Sequence, residues 1–407
     1  MKKPYRAFGL LCTCISLSAS TAHAQIDPYP RQLLHLGVNA PLNGNGPMGI
    51  YAFYYWNMPD LFATNVNLRL AIAPTYVDSE LGFKGLLGEH TDLAVGAAGG
   101  AFANNYQEVR NGVYEKKESF EGISAGTSVS VYHLFNPDAR IPLTGVLRET
   151  VTYNAWGETS DTAGNFDRPN NQSIFTTRAG FRWGGKEPVL MPTLALEASA
   201  WYELDARTDP GSYGYNGDRE LNRIPERIFG RLEGHFTTLS EKHYISLGLA
   251  GGVAFDSDRL SCFRLGGVLP YTKEFPLVIP GYYYQELSAQ NFGLAYGRYA
   301  FPFGSQKEWF VLCNGAAAVV KYEDGLGQDG SFNSGLGAGL GYAAASGRWK
   351  LLSLYGYGFQ AERSHGRGGQ TLAFAFQFNF GQTKTAGDKA YEAWQKEAAE
   401  PKGPSFR

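Results

Sequence analysis

Long hydrophobic runs are missing from this chain of 407 residues. Beyond the first two dozen positions nothing approaches the roughly 18 to 20 consecutive apolar residues of a transmembrane helix, which argues against residence in an inner membrane. Cysteine is scarce: there are four, and Cys12 and Cys14 fall in the N-terminal segment. The remaining Cys262 and Cys313 are too few for a disulfide framework and form either one bridge or two buried thiols. Charge of one sign is also lacking, with 36 basic against 38 acidic residues and no like-charged block, so nothing points to nucleic acid. No His, Cys or acidic set has metal-ligand spacing, and the glycine runs lack the strand–loop–helix setting of a phosphate cradle. No cofactor is expected.

The N-terminus reads as a secretory leader. Lys2, Lys3 and Arg6 precede an apolar stretch from Phe8 to Leu17, and Ala22-His23-Ala24 supplies an A-x-A cleavage site. Residues 1–24 are therefore expected to be removed after Sec-type export, with Gln25 the first mature residue and 25–30 a short periplasmic segment. A composition of 43% apolar residues, rich in Gly, Tyr and Phe, suits a soluble secreted all-β protein and a membrane barrel equally, so the order of residues has to decide.

That order alternates almost throughout. In 369–381, Leu372, Phe374, Phe376, Phe378 and Phe380 form one wholly apolar face against Ala373, Ala375, Gln377 and Asn379. Successive side chains of a strand point to opposite faces, so such a run offers one surface to hydrocarbon and another to a wet interior. In 332–345, Leu336, Ala338, Leu340 and Tyr342 oppose Gly335, Gly337, Gly339 and Gly341; glycine supplies no side chain to a packed core, which predicts an inside-out barrel. Charges obey the same division. Arg178 and Arg182 oppose Phe175, Phe181 and Trp183; Glu197, Glu203 and Asp205 oppose Leu194, Leu196, Tyr202 and Leu204; Arg231, Glu233 and His235 oppose Ile228, Leu232 and Phe236. These are the candidate lumen-lining groups, either setting solute preference or pairing across the wall.

About sixteen strands fit between residues 31 and 381, including 65–77, 79–87 and 291–303. From the fifth onward the connections alternate long and short, with 104–119, 157–170, 207–226, 257–290, 323–331 and 363–368 as the longer set. An even count with that alternation places both ends in the periplasm. The expected fold is an all-β transmembrane antiparallel barrel over 31–381, followed by a tail, 382–407, that is helix-prone from Asp388 to Ala399.

The C-terminal third adds a family resemblance. A strand is followed by Phe263-Arg264-Leu265-Gly266-Gly267, a long loop carrying Ile279-Pro280-Gly281-Tyr282, and Tyr296-Gly297-Arg298-Tyr299-Ala300-Phe301-Pro302. A Gly/Ala strand, the glycine-alternating strand, Leu354-Tyr355-Gly356-Tyr357-Gly358 and the aromatic closing strand complete the order. Over about 140 residues it resembles the barrel of the outer-membrane assembly and secretion superfamily typified by BamA, TamA and two-partner secretion transporters. The resemblance implies that the sixth outer loop folds into the lumen, making Arg264, Gly266, Gly267, Pro280, Gly281 and Tyr282 lumen-folding candidates. The family's tip Arg and strand Asp are both replaced, by Pro280 and Asn314, so that lock is absent as a unit. POTRA modules are absent as well, which implies a barrel-only branch.

Three functional readings follow: a pore, translocation or membrane-biogenesis component; a general diffusion porin; and, remotely, an outer-membrane enzyme. The third lacks support, since His133 lies outward, His235 has no obvious serine on an adjoining strand and His365 sits in an outer loop. Expected partners are outer-membrane lipid, the machinery that inserts barrels, and an unidentified periplasmic protein.

Overall fold

Every backbone N–H and C=O placed in hydrocarbon needs a partner within the protein, and a sheet meets that demand only by closing on itself. In the computed structural model, which describes residues 29–381 except 103, 140, 239–241 and 272–273, together with 388–390 and 392–393, it does close. The leader, most of the tail and Lys273 lie outside the described residues; 388–390 and 392–393 are helical.

Sixteen strands form the wall: Arg31–Pro41, Gly49–Met58, Val66–Ile72, Tyr76–Phe83, Thr91–Gly100, Phe120–Leu134, Leu143–Glu158, Gln172–Gly185, Leu194–Arg207, Glu226–Thr237, Tyr244–Phe255, Leu287–Phe303, Trp309–Tyr322, Phe332–Ala343, Trp349–Arg363 and Gly366–Asn379. Each pairs antiparallel with its chain neighbours, and the sixteenth returns to the first in a register running from Leu33 opposite Asn379 to Pro41 opposite Thr371. A three-residue strand, Phe263–Leu265, pairs with the start of the twelfth, beyond the point where the eleventh leaves it.

The outward face carries the large apolar side chains, among them Leu247, Leu249, Leu336, Leu340 and Phe374, all exposed. Near the end where the first strand begins and the sixteenth finishes, the outward rings form a girdle: Trp309 packs on Tyr342 at 4.8 Å, Tyr342 on Trp349 at 4.7 Å and Phe378 on Phe380 at 4.7 Å. This is the exterior of a lipid-embedded barrel.

Several expectations need correction. The third strand stops at Ile72 and the fourth begins at Tyr76, because Pro74 cannot donate to the ladder and Ala73 and Tyr76 exchange backbone hydrogen bonds around it. The twelfth strand starts at Leu287 rather than 291, drawn out by its pairing with Phe263–Leu265. The expected longer loop at 363–368 is a two-residue turn, Ser364-His365. Cys262 and Cys313 do not bridge, and Cys313 is an exposed thiol on the outward face rather than a buried one.

If Leu249 faces acyl chains mid-strand, Leu249→Arg should destabilise the barrel by about 2–4 kcal/mol. Reversible urea unfolding in vesicles measures it, and an unchanged midpoint would contradict the lipid-facing assignment.

Candidate functional site

The connection 256–286, between the eleventh and twelfth strands, runs back into the cylinder. Its stem is set by Gly266 and Gly267, whose φ angles of +127° and +74° turn the chain inward after Phe263–Leu265. The Gly266 N–H then donates to the Leu277 carbonyl and the Ile279 N–H to the Gly267 carbonyl, both at 2.9 Å. This internal hairpin delivers the tip, Pro280-Gly281-Tyr282, with Ile279, Tyr282 and Tyr283 fully buried.

Glycine builds the seat. A methyl group on Gly335 would collide with the Pro280 carbonyl, on Gly356 with the Gly281 nitrogen, on Gly369 with the Gly281 carbonyl and on Gly358 with the Tyr282 ring. Gly281, at φ +81°, has no room for a side chain against the backbone of Tyr357 and Gly358. Its N–H donates to Thr371 Oγ1 at 3.2 Å, and Tyr282 OH donates to Asn333 Oδ1 at 3.0 Å. The glycine face is therefore packed after all, by backbone laid on backbone. A dry cluster forms where Phe263, Leu265, Ile279 and Tyr282 meet the inward Phe292, Leu294, Ala316 and Val320, so the interior is not uniformly wet.

A charge pair clamps the tip, with the polarity opposite to the one the resemblance describes. Arg363 of the fifteenth strand places Nη1 2.7 Å from Glu286 Oε1, donates Nη2 to the Gly281 carbonyl at 3.2 Å and lies 3.7 Å above the Tyr283 ring. Glu286 Oε2 accepts from the Tyr283 N–H at 2.6 Å. Burial pushes the Glu286 carboxyl above its usual range against the pull of Arg363. The pair is thus a geometric clasp more than a source of net stability. Tyr283 OH also donates to the Asn43 carbonyl at 3.1 Å, and Asn43 Nδ2 to the Gly368 carbonyl at 2.7 Å, so the tip touches both sides of the seam between the first and last strands. Asn314 Oδ1 is buried without a hydrogen-bond partner among the described residues.

The middle of the loop reaches the opposite wall. Glu274 accepts from Arg178 Nη1 at 2.9 Å and from Arg182 Nη2 at 2.6 Å, while Phe275 sits 4.9 Å below the Arg231 guanidinium. The other lumen-lining candidates pair along the wall: Arg231 with Glu197 at 2.7 Å, Arg178 with Glu203 at 2.5 Å, Arg227 with Asp205 at 3.0 Å, and Glu233 with Lys186 at 2.9 Å and His235 at 2.7 Å. Arg264 stands apart from this strip, donating Nη2 to the Gln107 carbonyl at 2.5 Å and so tying the stem to the outer loop 101–119.

A second obstruction enters from the terminal end. The connection 186–193 buries Val189 and Leu190 inside the barrel, where the Leu190 N–H donates to Gln377 Oε1 at 2.6 Å and Lys350 Nζ donates to the carbonyls of Leu190 and Met191 at 2.7 and 3.2 Å. Arg31 pairs with Glu187 beneath it. The sequence carried a signal for this: Val189-Leu190-Met191-Pro192 is an apolar run where a solvent-facing turn would be polar.

Ser246 lies directly opposite His235 on the adjoining strand, contrary to expectation. Both imidazole nitrogens are nonetheless engaged, with Glu233 and with Tyr244 OH at 2.6 Å, so no serine–histidine pair forms. Among the described residues no His, Cys and acidic group could hold a metal ion.

Fold and site together define a sixteen-stranded barrel whose long loop packs against its own inner wall. No protein-family profile matches the chain, and no curated protein matches it by sequence. Solved structures do match. CdiB from Acinetobacter baumannii superposes with a TM-score of 0.56 at 12% identity, over 86% of this chain and 60% of that one. BamA from Haemophilus ducreyi lacking POTRA domains 1-3 gives 0.54 at 10% identity, over 86% and 71%, and CdiB from Escherichia coli gives 0.53 at 10%, over 88% and 64%. The chain has the barrel fold of the CdiB and BamA proteins and spans about three fifths of the length of the Acinetobacter CdiB chain.

Removing one partner of the buried clasp should loosen the tip by about 3 kcal/mol, whereas removing both should cost far less than the sum. Hydrogen exchange at 279–286 in Arg363→Met, Glu286→Leu and the double variant closes the cycle. A second test concerns pH. Burial raises the Glu274 carboxyl, but Arg182, Arg178 and Arg148 outweigh it and bring it down to about 2. Because the docked value lies below the ordinary 4.5, the attachment is complete above that pH and fades as pH falls toward about 2. Pepsin cleavage within 256–286 should accordingly rise steeply between pH 4 and 2.

Proposed function

We propose that this chain is an integral outer-membrane barrel acting as a gated translocation or membrane-biogenesis component, with both termini periplasmic. One observation carries the reading: the loop 256–286 crosses the lumen, bound to the charged strip of the eighth to tenth strands and seated on the glycine face of the fourteenth to sixteenth. A general diffusion porin needs a continuous aqueous path, and here that path is occupied by the loop from one end and by 186–193 from the other. Among the mixed-sign wall residues Arg178, Arg182 and Arg231 attach the loop, and Glu197, Glu203, Asp205 and Glu233 pair along the wall rather than forming a selectivity ring. Likeness to CdiB and BamA barrels supports the outer-membrane setting, and lipid together with the barrel-inserting machinery are the partners this setting entails.

Planar-bilayer recording tests the proposal. The intact protein should show low conductance with infrequent openings, and deletion of 270–284 should give a large, steady current. Equal, ohmic conductance from both would restore the diffusion-porin reading.

A further inference from the structure

Charged side chains on outward faces sit where a bilayer tolerates them: Glu121, Glu226 and Lys321 each lie within two residues of a strand end. Glu149 does not. It is exposed in the interior of the sixteen-residue strand Leu143–Glu158, in phase with the outward Leu147, Val151 and Tyr153, all exposed. At about 3.3 Å per residue it stands some 20 Å along the strand from Leu143, or roughly 15 Å in height at a tilt near 40°. That is close to the middle of the apolar belt, where an ionisable group is costly and marks function by default.

Its surroundings favour a protein neighbour over lipid. Thr177 Oγ1 donates to Glu149 Oε2 at 2.8 Å from the eighth strand. Thr127, exposed and diagonally placed on the sixth strand, opposes Val151 and adds a second outward hydroxyl. Beyond it the face is low: Ala125 and Ala97 are exposed, Gly99 lies opposite Ala125, and Thr127 lies opposite Ala97. A carboxyl acceptor beside an offset hydroxyl donor is self-complementary about a two-fold axis, since residue i meets j and j meets i.

We propose that this face, formed by the fifth to eighth strands, is where a second copy of this chain docks within the membrane. Each Glu149 accepts a hydrogen bond from the partner copy's threonine at position 127 while keeping the one from its own Thr177. The small residues let the two walls approach, and the contact removes a carboxyl group from hydrocarbon. The inference rests on membrane embedding but not on the gated-channel reading.

Disulfide cross-linking in native membranes tests it, in a Cys313→Ser background because that thiol also faces outward. Ala125→Cys should cross-link to a dimer, and Ala338→Cys, exposed on the opposite wall, should not. Adding Glu149→Leu or Thr127→Val should lower the dimer yield at least tenfold, while Glu149→Gln, which keeps an acceptor, should preserve it. Heat-modifiable migration in the membrane fraction verifies folding and embedding for each variant. Equal cross-linking at the two positions, a yield indifferent to Glu149→Leu, or a Glu149-dependent adduct with a different protein in place of the dimer would each overturn the proposal.

Discussion

Closure of the hydrogen-bond ladder is the constraint from which the rest of the molecule follows. In hydrocarbon no water satisfies a stranded N–H, so the sixteenth strand must find the first, and the cylinder that results has an interior large enough to need filling. The chain fills it with itself. Loop 256–286 descends from one end and 186–193 rises from the other, and the two meet inward-facing residues that a strand alone would leave solvated.

The choice of glycine on the inward face of the fourteenth and fifteenth strands makes sense in this light. A wall that must receive another backbone at close range cannot carry side chains, and Gly335, Gly356 and Gly358 clear the space that Pro280, Gly281 and Tyr282 occupy. Arg363 and Glu286 then hold what the glycines admit. The acid is on the loop and the base on the wall, so the absence of an arginine at Pro280 does not leave the tip unclasped.

Much of the fold was legible because a strand repeats every two residues, and a lipid-facing barrel writes that period in large side chains. Phe374, Phe376 and Phe378 could be read in isolation. A period does not report a turn that one residue decides, as Pro74 does. The clasp escaped because its halves are 77 residues apart and meet only once the loop is folded in. In the sequence Arg363 falls at the edge of the connection 363–368 and Glu286 within 257–290, and nothing local to either marks the other as its partner. Glu149 escaped for a related reason: its exposure follows from the phase of a single strand, but its meaning depends on Thr177 and Thr127, which register alone brings beside it.

The seat of the tip has a bearing on assembly. Tyr283 reaches Asn43 on one side of the seam while Gly281 bonds to Thr371 on the other, and Glu274 is held by arginines across the bore. A segment gripped from three directions cannot be threaded easily into a finished tube whose other mouth is already stoppered by Val189 and Leu190. Cylinder and occupant are thus best understood as forming together, the wall curling around a template that the same polypeptide provides.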